Sequence, residues 1–291
     1  LSVKDPVKMT WRYFEQSGPI YGESSAPIHW ENTIAPWLES QGFKRGENEM
    51  SAFTHKEKDI LVVLYVDDIL ADGPIKAIEW FFDVLNKRFK CKEADFLTPE
   101  TPLDYLGMKV SQVNDEIYIT MDDYIENCLM KLELPESKIS QLPITESIEG
   151  KGVSPLLSPA ARHYFLTALG MAGWLSSTAR PDISYAVSRI GQHAADPTES
   201  ALKAIKKVFY YLQGTKRLGL KSSSSETARD EPWEFYCDSD YAGNSESQNK
   251  RRSQIGICAT INRAPIYWSS KVSSVCFANA DLEEAHADMS S

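Results

Sequence analysis

The stretch that most constrains this chain is Leu61-Val62-Val63-Leu64-Tyr65-Val66-Asp67-Asp68-Ile69-Leu70-Ala71. Two short apolar runs, rich in strand-forming residues, are separated only by two adjacent acids. The pattern reads as antiparallel strands joined by a tight turn, with the acids at the turn. Adjacent carboxylates flanked by strands that must be buried repel each other unless a cation lies between them. A hard divalent ion such as Mg²⁺ takes oxygens from one or two carboxylates together with substrate phosphates, and would relieve that repulsion. An Asp-rich turn left in water is the plain alternative for the same residues.

The chain has 291 residues, more than a usual single domain, so two or three are expected. With 42% hydrophobic and 25% charged residues it has an ordinary globular composition and enough apolar mass to build cores. No apolar run reaches the length of a membrane span, and Leu1-Ser2-Val3-Lys4-Asp5-Pro6 lacks the character of a signal peptide. Without an initiator Met, the chain is expected to be a piece of a longer protein. Five scattered cysteines, none in a CxxC pair, point to buried thiols in a reducing, intracellular compartment. The net charge of −10 is unevenly spread. Residues 1–200 carry 19 basic and 30 acidic side chains, residues 201–221 carry 6 and none, and residues 222–291 carry 6 and 11. One basic island therefore separates two acidic regions.

Along the chain, Pro27 reads as the start of a helix running toward Gly42, with Pro36 as a kink. After Gly73-Pro74, Ile75, Ile78, Phe82, Leu85 and Phe89 share one face of a helix. Residues 103–121 read as a single hairpin turning at Asn114-Asp115-Glu116, followed by a helix from Asp122 to about Leu132. Residues 135–159 are rich in Pro, Ser and Gly and read as a linker. Two helices follow, over 160–178 and from Pro181. A third opens at Asp196-Pro197-Thr198-Glu199, with Asp196 as the capping acid, and ends at Gly214. Its apolar face is Ala201, Ile205, Val208, Phe209 and Leu212. Ser222–Ser225 is a second linker, and short strands are expected at 233–238, 255–261, 265–269 and 274–278.

A second acidic constellation is Phe235-Tyr236-Cys237-Asp238-Ser239-Asp240, a strand ending in acids, paired at long range with Asp281, Glu283, Glu284 and Asp288. A strand-end Asp with a helical Glu suits a two-metal nuclease, whose ions bridge both oxygens of an in-line phosphate displacement. Acids that merely favour a helix start are the competing explanation. Lys203, Lys206, Lys207 and Tyr210, continued by Lys216, Arg217 and Lys221, form a basic face that could track a phosphate backbone or simply be solvated. The five His show no ligand spacing, and the seven Trp are read as core residues.

Four stretches, in order, resemble copia-type LTR retrotransposon Pol polyproteins. They are Ile20-Tyr21-Gly22 with Ala26-Pro27 and Trp30, then Tyr65-Val66-Asp67-Asp68, then Ala179-Arg180-Pro181-Asp182-Ile183-Ser184-Tyr185-Ala186-Val187 with Asp196-Pro197-Thr198, and a closing block. That block comprises Cys237–Gly243, Arg251-Arg252-Ser253, Pro265–Lys271 and Glu284-Ala285-His286-Ala287. The resemblance implies an α+β chain: the C-terminal part of a reverse transcriptase palm with a thumb-like region over 1–134, the linker 135–159, a helical connection over 160–221 and a partial RNase H-like α/β domain over 222–291. It implies that Asp67 and Asp68 are polymerase carboxylates and Mg²⁺ ligands, with Mn²⁺ as the alternative metal, and that Tyr65 and Val66 lie under the primer end. In the same way Asp238 and Glu284 match the first two RNase H acids and metal ligands. RNA template, DNA primer, RNA–DNA hybrid and dNTPs are the implied partners, with no membrane.

The chain departs from the family in places. Asp5 has neither the neighbours nor the spacing of the third polymerase carboxylate, and the third nuclease acid would fall beyond Ser291. Glu23-Ser24-Ser25 replaces a usual Leu-Lys-Gln. The expectation is therefore a polymerase and nuclease segment that is inactive alone. A non-catalytic nucleic-acid-binding remnant and a decayed reading frame are the rival expectations.

Overall fold

A computed structural model describes residues 2–4, 11–13, 23, 25–114, 116–144, 147–223, 233–240 and 252–273. The chain divides into two compact units, 1–94 and 95–291. Both mix helices with antiparallel sheets, an α+β organisation. Among the described residues no helix is long and apolar enough to cross a membrane.

In the first unit β1 (Ser2–Lys4) pairs with β2 (Trp11–Tyr13). Helix α1 (Ala26–Ser40) leads to β3 (Lys44–Arg45), β4 (Ala52–His55), β5 (Ile60–Tyr65) and β6 (Asp68–Asp72), which form one sheet in chain order. Helix α2 (Ile75–Phe89) closes the unit. Pro36 lies inside α1, and its neighbours Ile34, Ala35 and Leu38 are buried. They pack with Phe43, Phe53, Ile60, Val62, Phe81 and Leu85 into a single core. The expected face of α2 faces the core: Leu85 is fully buried and Ile78, Phe82 and Phe89 pack beside it, with Phe81 added as a further buried side chain, while Ile75, the first residue of the helix, is exposed. Gly73 makes that entry feasible: a Cβ there would stand 2.5 Å from the Asp59 carbonyl oxygen, and its φ is +151°.

The second unit holds β7 (Leu103–Tyr105), β8 (Met108–Val113) and β9 (Glu116–Thr120), then α3 (Asp122–Lys131), α4 (Pro159–Thr178), a 3₁₀ turn at Pro181–Ile183, α5 (Ser184–Gly191) and α6 (Glu199–Gly214). β10 (Leu220–Ser223) joins the edge of β9. A separate sheet is built in order from β11 (Glu234–Ser239), β12 (Gln254–Ile261) and β13 (Ala264–Val272). Residues 103–121 make three strands, not two. Leu106 and Gly107, both at positive φ, form a two-residue turn that folds β7 back on β8. β10 also takes up the first two serines of the Ser222–Ser225 run. The strand expected at 274–278 lies outside the described residues.

Helix α6 buries the expected face: Ala201, Ile205, Val208, Phe209 and Leu212 are all fully buried. Its cap is Thr198, not Asp196. The Thr198 hydroxyl accepts from the Ala201 amide and donates to the Glu149 carbonyl. This second bond draws in the Pro/Ser/Gly-rich stretch. The Ser200 amide donates to Ser154 Oγ, Leu157 N to the Pro197 carbonyl and Ser140 N to the Tyr210 carbonyl. Ser140, Glu149, Ser154 and Leu157 are thereby tied to α6 and the residues that open it.

The loop between α4 and α5 contains Arg180, which is fully buried. Its Nε and Nη2 donate to the two carboxylate oxygens of Asp182 at 2.9 and 2.7 Å. Nη1 donates to the Thr215 carbonyl at 3.1 Å and Nη2 to Thr215 Oγ1 at 2.7 Å, with the Tyr211 ring 5.6 Å away. One side chain so joins the end of α4 to the C-terminal end of α6. Breaking a buried ion pair commonly costs about 3–5 kcal/mol. Arg180→Ala should fall near the lower end, because Asp182 keeps some contact with water, and urea unfolding of the intact chain measures it. A loss below about 1 kcal/mol would show that the clamp is dispensable.

Candidate active site

The hairpin of β5 and β6 follows from its apolar alternation. Ile60 and Val62 are buried, while Leu64, Ile69 and Ala71 lean on the same core. The register is Val63 opposite Leu70, Leu64 opposite Ile69 and Tyr65 opposite Asp68. Only Val66 and Asp67 remain for the turn, so Asp67 occupies its second position and Asp68 opens the return strand. The core ends before the tip, and Tyr65 and Val66 are 54% and 50% exposed, with both acids also exposed.

Val66 has φ +55°. The first central residue of a two-residue hairpin turn of this kind is ordinarily Gly or Asn, because a β-branched side chain resists the left-handed region. Conformations of this class cost about 1–3 kcal/mol and persist only where the surroundings enforce them. Here the paired strands on both sides enforce it, and Asp67 is left exposed at the tip. Asp59 and Asp72 stand at the opposite end of the hairpin, roughly 20 Å and 14 Å away by strand rise. Among the described residues, no three His, Cys, Asp or Glu side chains converge as a metal site.

The second unit carries the other candidates. Lys203 and Arg217 are exposed. Lys206 lies 5.3 Å from the Tyr164 ring, and Lys216 is paired with Glu126 at 3.1 Å. Lys221 is paired with Glu116 at 2.6 Å. Lys207 is half-buried in α6. The island is basic in sequence, but acids from α3 and β9 answer part of its charge.

Asp238 lies in β11 opposite Gly256 and is exposed. It shares a face with Tyr236, Gln254, Trp268 and Ser270, and that face turns toward α5. A cavity of about 580 Å³ separates the two, lined by Pro181, Ser184, Tyr185, Tyr236, Asp238 and Trp268 among others. The docking rests on residues that sequence reasoning passed over. Buried Gln254 donates through Nε2 to Ser188 Oγ and Ser270 Oγ, both at 2.8 Å, and Trp268 Nε1 donates to the Ser176 carbonyl at 2.6 Å. The Gln254 amide also holds a carboxylate oxygen of Asp240. An amide residue at the start of a strand, ahead of the apolar run, was the only available signal. Glu284, expected as the partner of Asp238, lies outside the described residues.

Residues 9–146 match the reverse transcriptase (RNA-dependent DNA polymerase) family. The chain is 28% identical over 268 residues to a putative transposon Ty5-1 protein of Saccharomyces cerevisiae, covering 89% of this chain and 81% of that protein. It is 29% identical over 255 and 257 residues to the retrovirus-related Pol polyproteins of transposons RE2 and RE1 of Arabidopsis thaliana. Residues 9–146 carry the reverse transcriptase domain, and the chain is similar along most of its length to copia-type retrotransposon Pol polyproteins. It spans 17% and 16% of the length of the two plant polyproteins, though each alignment takes in 87% of the chain. No solved structure matches it. The hairpin acids fall within the matched segment, and Asp238 falls after it.

Relief of the turn is measurable. Val66→Gly should leave the unfolding free energy of the first unit unchanged or raise it by up to about 1 kcal/mol, since the strain removed exceeds the backbone entropy that Gly adds. Leu85→Ala, in the core below, should lower it by about 2–5 kcal/mol. Denaturant titration distinguishes the two, and a large loss in the Gly variant would mean that the Val66 side chain is itself a packing element.

Proposed function

We infer that the β5–β6 hairpin is the metal-binding element of an RNA-directed DNA polymerase, with Asp67 and Asp68 as its carboxylates. The reading is carried by one observation: two adjacent exposed acids at a strained two-residue turn, inside the segment that matches the reverse transcriptase family. On this reading residues 1–134 are the later palm with a thumb-like region, and residues 160–221 are the helical connection. The sheet of β11–β13 then belongs to a partial RNase H-like domain whose acids are Asp238 and Glu284.

The residues suit Mg²⁺ or Mn²⁺. Exposed carboxylates at one turn are the donors that a small hard cation takes, while it keeps waters and substrate phosphates as its other ligands. Such ions, when bound, activate a primer 3′-hydroxyl and stabilise the leaving pyrophosphate of a dNTP. The chain's own residues do the positioning. Val66 makes the tight reversal that leaves Asp67 at the tip, and the exposed Tyr65 ring beside it offers a surface for the primer end. Exposed Lys203 and Arg217 are available to template or hybrid phosphates without any metal.

Two-metal chemistry depends on both ions being held where charge develops, and losing one anchoring group commonly costs on the order of 10²–10³ in rate. Among the described residues no third ligand joins Asp67 and Asp68. The purified chain is therefore expected to bind Mn²⁺ at the hairpin yet neither extend a primer nor cut an RNA–DNA hybrid. Paramagnetic broadening of the amides of 64–70 by Mn²⁺, lost in Asp67→Asn and Asp68→Asn, tests the first half. Primer extension by the chain that disappears in Asp67→Asn would refute the second and reveal a completed site. Broadening indifferent to both substitutions would remove the metal-binding reading altogether.

A further inference from the structure

The cavity between α5 and the β11–β13 sheet has a glycine in its floor. Asp238, Gly256 and Ser270 stand opposite one another across the three strands, and all three line it. Tyr236, Cys258 and Trp268 form the neighbouring row and line it too. Directly opposed residues of antiparallel strands share a face, so Gly256 leaves a gap where its neighbours carry side chains. A Cβ there would meet nothing nearer than the Asp238 carbonyl oxygen, at 3.8 Å. Pro181, Ser184 and Tyr185 supply the opposite wall. The volume, about 580 Å³, falls in the range of small-molecule sites.

The lining is aromatic and acidic. Tyr185, on one wall, and Tyr236 and Trp268, on the other, contribute rings, and both tyrosines are half-exposed. Not every Trp serves a core, as the sequence had suggested: Trp268 lines this cavity, and Trp174 and Trp233 are exposed. Asp238 and Asp240 are exposed carboxylates, and no Lys, Arg or His stands among the described residues that line the space. The Asp240 amide donates to the Gln254 carbonyl at 3.1 Å, so the ladder continues past Ser239. Two residues of strand then separate the acids by about 6.6–6.8 Å along one face. An anion entering here would meet two carboxylates and no base. A single small ion would leave the rings unused. Aromatic faces attract cations and also cover methylene stems. The lining therefore complements an elongated organic cation, charged at intervals and apolar between.

We propose that this cavity binds an aliphatic polyamine, with one ammonium group at Asp238, a second at Asp240 and the methylene chain along Tyr185, Tyr236 and Trp268. Gly256 provides the room for the chain to lie against the sheet. Binding of this kind needs no metal and no third carboxylate. It stands whether or not Asp238 is a nuclease acid.

Isothermal titration of the full chain with spermidine, in EDTA and at low salt, tests it. Hexaamminecobalt(III), a compact ion of the same charge, serves as the comparison. The net charge of −10 attracts both ions alike, but only spermidine has a stem for the rings to cover. Spermidine should bind about tenfold tighter than the cobalt complex. Gly256→Val fills the floor with a strand-compatible side chain and alters no charge. It should weaken spermidine binding by about tenfold and leave binding of the cobalt complex unchanged. The thermal transition verifies that the variant is folded. Where Gly256→Val shifts that transition, Tyr185→Leu decides instead, at a half-exposed position on the other wall, and should also weaken spermidine binding. Equal affinity of the unsubstituted chain for the two ions would overturn the proposal and make the acids a general cation site. Unchanged spermidine affinity in the deciding variant would overturn it too, because the ligand would then lie outside the cavity.

Discussion

The second unit depends on a buried guanidinium. Arg180 brings a charge into an interior otherwise made of Phe165, Ala172, Leu175, Ile205 and Phe209, and an unpaired charge there would be prohibitive. Its cost is offset by four hydrogen bonds and a neighbouring ring, two of the bonds in the parallel geometry that a carboxylate offers a guanidinium. The partner carbonyl belongs to Thr215, which caps α6, so the cation also meets the negative end of a helix. The order α4, 3₁₀ turn, α5, α6 is fixed around this point. Through Ser176 and Ser188 the same helices then hold the sheet that bears Asp238.

That role was invisible in the sequence, although the residues were not. Arg180-Pro181-Asp182 stands out as a family motif, and a motif is easily taken for chemistry. Burial shows what it does: Pro181 turns the chain, Asp182 returns two residues later, and the arginine is enclosed between helices. Periodicity read the long elements well, since the faces of α6 and the strands of β5 and β6 are set by apolar spacing alone. It failed where a cap or a turn is decided by competition. Asp196 and Thr198 are both good caps, and the choice fell to the hydroxyl because it can accept from Ala201 and donate to Glu149 at once. Leu106-Gly107 was hidden inside a run that looked like one strand, because a turn with two positive φ values needs only one glycine to become affordable.

The composition of 135–159 illustrates the same limit. Proline and serine forbid a regular element but do not forbid contact, and here they free backbone groups to bond α6. Lack of periodicity therefore meant lack of helix, not lack of structure. The basic island failed in the other direction. Six cations without an acid look like a free surface in sequence, yet Lys216 and Lys221 meet Glu126 and Glu116, which lie far away along the chain. Exposed ion pairs of this kind contribute little stability, but they redirect charge away from a ligand.

At the hairpin the sequence was legible for the opposite reason. The acids are adjacent, so no long-range fold is needed to bring them together, and the flanking strands need only pair in register for both to reach the tip. What remained hidden is the backbone state of Val66, since a valine is the residue least suited to a left-handed turn. Local preference and global pairing disagree there, and pairing prevails because Ile60 and Val62 are locked in the core on one side and Ile69 and Ala71 lean on it from the other. A turn residue chosen for stability alone would relax the loop. One held against its preference keeps the reversal between Tyr65 and Asp68 tight, so the two adjacent carboxylates stay together at the exposed tip.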